Sequence, residues 1–266
     1  MNPLDALDPR YRLILCDIWG VVHDGGRLLP GAAERLLRFK AEGRKVVLLT
    51  NAPRPADRVR WHLDQLGLVA SAYDAITSSG EAGIAALTHL CSAVGFLGTK
   101  EDRADLEAHG VAIAVDKFAE VAVTGLDEWR DDPAEYRDQL REWAARDVRM
   151  HCLNPDRVVI HQGDRIACAG ALADLYEAMG GRVCWYGKPY APIYDHALSL
   201  AGNPSREEVL AIGDGLPTDM LGAARYGIDA VFVSHGIHEG EPVPADFAAQ
   251  HGLGDWHPIL TVPGLA

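Results

Sequence analysis

The sequence predicts an α/β protein built on a doubly wound parallel sheet, and three observations carry that prediction. Short, continuous apolar runs recur along the chain, each followed by a loop and then by a segment with helical periodicity. The runs are unbroken rather than alternating, as expected of strands covered by helices on both faces. The middle of the chain repeats the alternation on its own account, over a length sufficient for a second α/β unit inserted into the first.

Taken in order, Leu13 to Cys16 is the first strand, ending at Asp17. Gly31 to Glu42 reads as a helix with Leu36, Leu37 and Phe39 as its apolar stripe and Gly43 beyond its end. Val46 to Leu49 is the second strand, followed by Thr50, Asn51 and the breakers Pro53 and Pro55. A helix from Ala56 to Leu66 stops at Gly67, Ala75 to Ser78 is a third strand, and Glu81 to Leu90 a third helix. The middle supplies strands at Val94 to Leu97 and Val121 to Thr124, a helix over Pro133 to Ala145, strands near Val148 and Val158, and a helix from Gly170 to Met179. A helix over Tyr190 to Leu200 and a strand at Val209 to Ile212 come next. After a Gly/Asp loop, a helix runs from Thr218 to Tyr226 and a strand from Ala230 to Val233. The expected division is 1–79 with 187–266 as the core and 80–186 as the insert. No internal repeat and no low-complexity linker marks the joins.

Composition narrows the function. Hydrophobic residues make up 48% of the 266, enough for real cores, and the charged fraction of 24% is ordinary. A formal net charge of −13 argues against nucleic acid, which is bound by Lys and Arg. An anionic substrate would need local rescue by a metal and a few cations. The five cysteines, Cys16, Cys91, Cys152, Cys168 and Cys184, contain no Cys-x-x-Cys pair and fit neither a disulfide framework nor a structural zinc site. Met1 to Arg12 lacks the apolar run of a signal peptide, and no stretch has the length of a membrane span, so the expected location is the cytoplasm.

In open parallel sheets, ligands bind outside the carboxyl ends of the strands. Three core strands here end on groups able to do chemistry: Asp17, Thr50 and Asp214. Asp17-Ile18-Trp19-Gly20-Val21-Val22-His23-Asp24-Gly25 follows the first strand, and Leu48-Leu49-Thr50-Asn51 closes the second. Gly187-Lys188-Pro189 precedes a helix, and Gly213-Asp214-Gly215-Leu216-Pro217-Thr218-Asp219 follows a later strand. The middle adds Leu153-Asn154-Pro155-Asp156-Arg157 and Gly170-Ala171-Leu172.

This ordered set resembles the four motifs of the haloacid dehalogenase-like superfamily. With the insert between the Thr and Lys motifs, it is similar to class IIA, which includes pyridoxal-phosphate and sugar-phosphate phosphatases. The resemblance implies a Rossmannoid core with an α/β cap, a small phosphorylated metabolite as substrate, and Mg²⁺ as cofactor. It implies Asp17 as nucleophile forming an aspartyl-phosphate, with Asp17, the backbone carbonyl of Trp19 and Asp214 holding the metal. Asp219 would bind through water or orient Lys188; it reads equally as a first-turn residue behind an N-capping Thr218. Thr50 and Lys188 would act on the phosphoryl group. Asn51, Asn154, Asp156 and Arg157 would face the substrate, although Asn154 and Asp156 read as well as an ordinary turn. Related caps often dimerise, which makes a homodimer through the cap a further expectation.

One departure matters. Phosphatases of this superfamily usually carry a second Asp two residues after the nucleophile, as general acid and base. Here that residue is Trp19. An indole N–H does not ionise at usable pH and cannot do either job, whose loss commonly costs on the order of 10²- to 10⁴-fold. His23 or Asp24 on the same loop are candidate substitutes; alternatively the leaving group needs little protonation, or the protein binds a phosphorylated ligand without turning it over. Dehalogenases resemble the first motif with Tyr at this position, but the acidic pair Asp214 and Asp219 and the place of the insert argue for phosphoryl transfer.

Overall fold

The computed structural model describes residues 2–161, 164–236 and 243–266. From the amino end the elements are β1 (Leu13–Asp17), α1 (Ala32–Ala41), β2 (Lys45–Thr50), α2 (Ala56–Gln65) and β3 (Ala75–Ser78). They continue with α3 (Ser79–Leu87), β4 (Gly95–Leu97), α4 (Lys100–Ala108), β5 (Glu120–Val123), α5 (Arg137–Ala145) and β6 (Arg149–Cys152). Next come β7 (Val158–His161), β8 (Asp164–Ala167), α6 (Ala169–Ala178) and β9 (Arg182–Trp185). The chain closes with α7 (Ala191–Leu200), β10 (Val209–Gly213), α8 (Leu221–Tyr226), β11 (Asp229–Val233), α9 (Phe247–His251) and β12 (Leu260–Val262). Among the described residues, no helix is long and apolar enough to cross a membrane.

Two compact units result: residues 1–50, 60–77 and 188–266 form one, residues 51–59 and 78–187 the other. The first is organised by a six-stranded sheet in the order β12-β11-β10-β1-β2-β3, parallel at each of the four pairings from β12 to β2. Strands β1 and β10 are neighbours, and the chain builds the sheet outward from them in opposite directions. That reversal opens a crevice beyond their carboxyl ends. Both strands are buried along their whole length, as their unbroken apolar sequences require.

The helices that cover this sheet show where local pattern and packing part. Helix α1 buries Ala32, Arg35, Leu36 and Phe39, a clean 3–4 spacing. Leu37, which the sequence places in the stripe, is instead exposed. Arg35 takes part in the stripe because its guanidinium has buried partners, donating to the carbonyl of Leu265 at 3.1 Å and to Asp5 Oδ1 at 2.7 Å. The expected helix from Thr218 is a π-helical turn, Leu216–Met220, running into α8.

The second unit holds a four-stranded parallel sheet, β4-β5-β6-β9, and a separate antiparallel hairpin, β7-β8. Its core packs α3 residues Ala82, Ile84 and Leu87 against Val94, Leu106, Ala122, Leu153 and Tyr186. Strands β8 and β9 and helix α4 have no counterpart in the sequence reading. Helix α4 carries two buried carboxylates, Asp102 and Asp105, beside a single buried Leu106, so it lacks an apolar stripe to detect.

Candidate active site

Within the first unit, the crevice at the sheet's reversal collects four charged side chains. Asp17 is the last residue of β1, and Asp214 follows β10 directly. Lys188 Nζ donates to Asp17 Oδ1 at 2.5 Å and to Asp219 Oδ1 at 2.9 Å. Carboxylate oxygens of Asp17, Asp214 and Asp219 all lie within 4.8 Å of one another. None of the four residues is more than 6% exposed. Thr50 ends β2, one residue past the partner of Asp17 in the β1–β2 register, and is also buried.

The loop after β10 is shaped by what glycine leaves out. A Cβ on Gly213 would stand 2.2 Å from the Asp219 carboxyl carbon, and one on Gly215 would stand 2.0 Å from Thr218 Oγ1. Thr218 does not cap a helix; its hydroxyl donates to Asp219 Oδ2 at 3.2 Å, as does the amide of Gly215 at the same distance. Asp219 is thereby turned inward onto Lys188 rather than along a helix axis. Gly236, after β11, plays a matching part: a Cβ there would fall 2.0 Å from Asp214 Oδ2. The sequence reading misses Gly236, because only the pairing of β10 with β11 brings the loops that follow these strands side by side.

The electrostatics are those of carboxylates crowded together and buried. Burial raises the Asp17 carboxyl well above the usual range, and the neighbouring charges of Asp219 and Asp214 add to this against the opposing pull of Lys188. Burial pulls the Lys188 ammonium down, yet Asp17 and Asp219 outweigh it and hold it above its ordinary value. Among the described residues, Lys188 bonds two of the three carboxylates, Asp17 and Asp219, and Asp214 stands beside them. All-oxygen donors, buried and converging, suit a hard divalent cation such as Mg²⁺.

The loop after Asp17 is an aromatic wall. The indole of Trp19 meets the His23 ring edge-on at 5.4 Å, and His23 meets His62 likewise at 5.3 Å. Gly25, at φ +97°, lies under the indole, where a Cβ would come within 2.6 Å of it. His23 is buried, and its Nδ1 accepts the Gly25 amide at 2.9 Å. Burial, then His62, depress its pKa to about 4. Asp24 is bound up in its own turn, accepting from the amides of Gly26 and Arg27 and from the Arg27 guanidinium. Those bonds hold its carboxyl below the usual range. Near neutral pH, His23 is then an uncharged imidazole and Asp24 a carboxylate.

The remaining candidates lie in the second unit. Asn51 Nδ2 donates to Asp156 Oδ1 at 2.8 Å, and the Asp156 amide donates to Asn154 Oδ1 at 3.1 Å. Arg157 donates to both oxygens of Asp174, at 3.0 and 2.7 Å, and to the Pro155 carbonyl at 2.8 Å, with its guanidinium over the Trp185 ring. Its guanidinium pairs with Asp174 inside this unit.

Comparison with known proteins agrees with this geometry. A family model described as haloacid dehalogenase-like hydrolase matches residues 14–112, and a second, HAD-hydrolase-like, matches residues 185–254. A haloacid dehalogenase-like hydrolase from Brucella suis is 32% identical, covers 100% of both chains and superposes with a TM-score of 0.85. The ribonucleotide monophosphatase NagD of Escherichia coli is 28% identical over 84% of this chain and 88% of its own. The D-glycerol 3-phosphate phosphatase of Mycobacterium tuberculosis is 26% identical over 96% of this chain and 73% of its own. The chain belongs to the haloacid dehalogenase-like hydrolase family, in its class IIA branch.

Proposed function

We propose that the protein is a Mg²⁺-dependent phosphomonoesterase in which Asp17 attacks phosphorus and transiently becomes an aspartyl-phosphate. The observation that carries this reading is the buried cluster in which Lys188 bridges Asp17 and Asp219 with Asp214 alongside. The two related phosphatases support the reaction class, and their different substrates leave the metabolite open.

Asp17 supplies the nucleophilic oxygen, splitting hydrolysis into two displacements. Lys188 holds that carboxylate in place and adds positive charge beside the transferring group; Asp219 holds Lys188. Thr50, buried at the end of the neighbouring strand, donates to the phosphoryl oxygens. Asp17, Asp214 and the carbonyl of Trp19 would hold Mg²⁺, which when bound supplies the charge that lets two anions meet. The second unit, residues 78–187 with 51–59, is the part to which we assign choice of substrate.

The leaving group must carry its own charge. Trp19 has no usable proton, Asp24 is held ionised, and His23 is neutral above pH 4. Aryl and acyl phosphates are therefore the favoured class. The same three facts favour a second reading, in which the site binds a phosphorylated ligand without turning it over. One experiment separates them: Mg²⁺-dependent phosphate release from an aryl phosphate, which Asp17→Asn should abolish. Absence of any release from the wild-type protein leaves the binding reading in possession.

A further inference from the structure

The loop Asn154-Pro155-Asp156 has the residue types of a ligand-binding turn, but its contacts run elsewhere. Asp156 Oδ1 accepts from Asn51 Nδ2 at 2.8 Å, and the Asp156 amide is held by Asn154 Oδ1 at 3.1 Å. Pro155 is buried, and its ring lies against Gly187, where a Cβ would come within 2.5 Å of it. The oxygen of Asn51 lies 2.6 Å from the same point. On its other side the loop is seated on Gly170, where a Cβ would come 2.3 Å from the Pro155 carbonyl, and the Gly170 amide donates to the Asp156 carbonyl at 3.1 Å. Arg157, clamped to Asp174 and to the Pro155 carbonyl, anchors the loop's far end.

Every one of these contacts lies within the second unit. Asn51 and Gly187 are more than 130 residues apart in sequence, yet Asn51 Oδ1 and the Pro155 ring both crowd the space where a Gly187 side chain would begin, and Asn51 bonds the residue after that proline. Each is the covalent neighbour of a residue in the proposed machinery: Asn51 follows Thr50, and Gly187 precedes Lys188.

We infer that Asn154-Pro155-Asp156 is a strap that holds Asn51 beside Gly187, so that Asp156 is a positioning residue for Thr50 and Lys188 rather than a ligand of the substrate. The inference rests on the phosphatase reading for its catalytic consequence, but not for the strap itself. A carboxylate in this role is needed as a hydrogen-bond acceptor, and its charge is incidental. Asparagine keeps the acceptor and discards the charge, which makes the role testable.

The experiment compares Asp156→Asn, Asp156→Ala, Asn51→Asp and the double swap Asn51→Asp with Asp156→Asn. Two readouts are taken: hydrogen exchange of peptides spanning 50–54 and 186–189, and aryl-phosphate kinetics with Mg²⁺. Asp156→Ala should speed exchange in both peptides together and lower kcat by about 10- to 100-fold, the scale of a misplaced catalytic group, with KM within about twofold. Asp156→Asn should stay near wild type in both readouts. Asn51→Asp sets two carboxylates face to face and should imitate Asp156→Ala; the swap reverses donor and acceptor and should recover most of the loss. The proposal is overturned when Asp156→Asn is as impaired as Asp156→Ala, since charge then matters, or when Asp156→Ala exchanges like wild type. Should Asp156→Ala not fold, the Asn51→Asp pair decides alone, with failure of the swap to recover counting against the strap. A wild type that releases no phosphate sinks the phosphatase reading, while exchange still reads the strap.

Discussion

Replacing Lys188 by methionine keeps most of the length of the side chain and removes the ammonium that bonds Asp17 and Asp219. The structure sets the size of the effect. Lys188 is 3% exposed and bonded to Asp17 at 2.5 Å and Asp219 at 2.9 Å, so water offers little compensation when the charge is lost. Two like charges no more than 4.8 Å apart repel by at least about 3.5 kcal/mol at an effective dielectric of roughly 20. Removing one partner of a buried ion pair commonly costs about 3–5 kcal/mol, which is the same order. At roughly 2–4 °C per kcal/mol for a unit of this size, Lys188→Met should melt about 10 °C below wild type in a chelator at pH 7.5. Millimolar Mg²⁺ should recover much of that difference, because a cation bound only by the folded state stabilises it by mass action and is the available replacement for the lost charge. Phosphate release should remain depressed by about 10²- to 10³-fold, since the cation does not restore the donor beside the phosphoryl group. Differential scanning calorimetry with EDTA or Mg²⁺ makes the measurement, read on the transition that responds to the metal. A variant that melts with wild type in EDTA would refute the account, for it would mean that Lys188 neutralises nothing.

Two further outcomes follow from the loop after Asp17. Trp19→Asp restores an acid two residues after the nucleophile and should raise alkyl-phosphate turnover relative to aryl by at least about 10-fold, toward the 10²- to 10⁴-fold of a general acid; because the indole is only partly buried, the stability cost should fall below the roughly 3–5 kcal/mol of a fully packed aromatic, and an unchanged alkyl-to-aryl ratio in a folded variant counts against the leaving-group argument. The second outcome concerns pH. His23 titrates at about 4 in the folded protein against about 6.5 unfolded, so the unfolded chain takes up the proton first and stability is lost as pH falls from 6.5 toward 4. His23→Asn keeps an acceptor for the Gly25 amide and should flatten that fall by about 2–3 kcal/mol between pH 7 and 4.5 in urea titrations. Parallel profiles for the two proteins would mean that His23 is not the buried neutral base the geometry describes.

Much of the architecture could be read from periodicity, because it rests on local causes. Unbroken apolar runs such as Leu13–Cys16 and Val209–Ile212 are what a strand buried on both faces must look like, and both lie in the core sheet. What escaped was held by partners distant in sequence. Helix α4 has carboxylates on its buried side, β8 and β9 are short and carry charges, and Arg35 replaces Leu37 inside α1 because Asp5 and Leu265 come to meet it. No window of sequence holds both halves of such an arrangement.

The same division runs through the site. The sequence by itself determined which groups stand at the ends of strands and in what order, and with that order the family. It determined equally that Trp19 stands where an acid is usual. Tertiary structure alone decided what those groups do to one another. It drew Lys188 onto Asp17 and Asp219, turned Asp219 inward, and set Gly236 behind Asp214. It also paired Arg157 with Asp174 and set the carboxylate of Asp24 in its own turn. The reason is physical: a side chain's chemistry is written in its identity, but its charge state and availability depend on which neighbours the fold brings within hydrogen-bond reach and on how much water it removes.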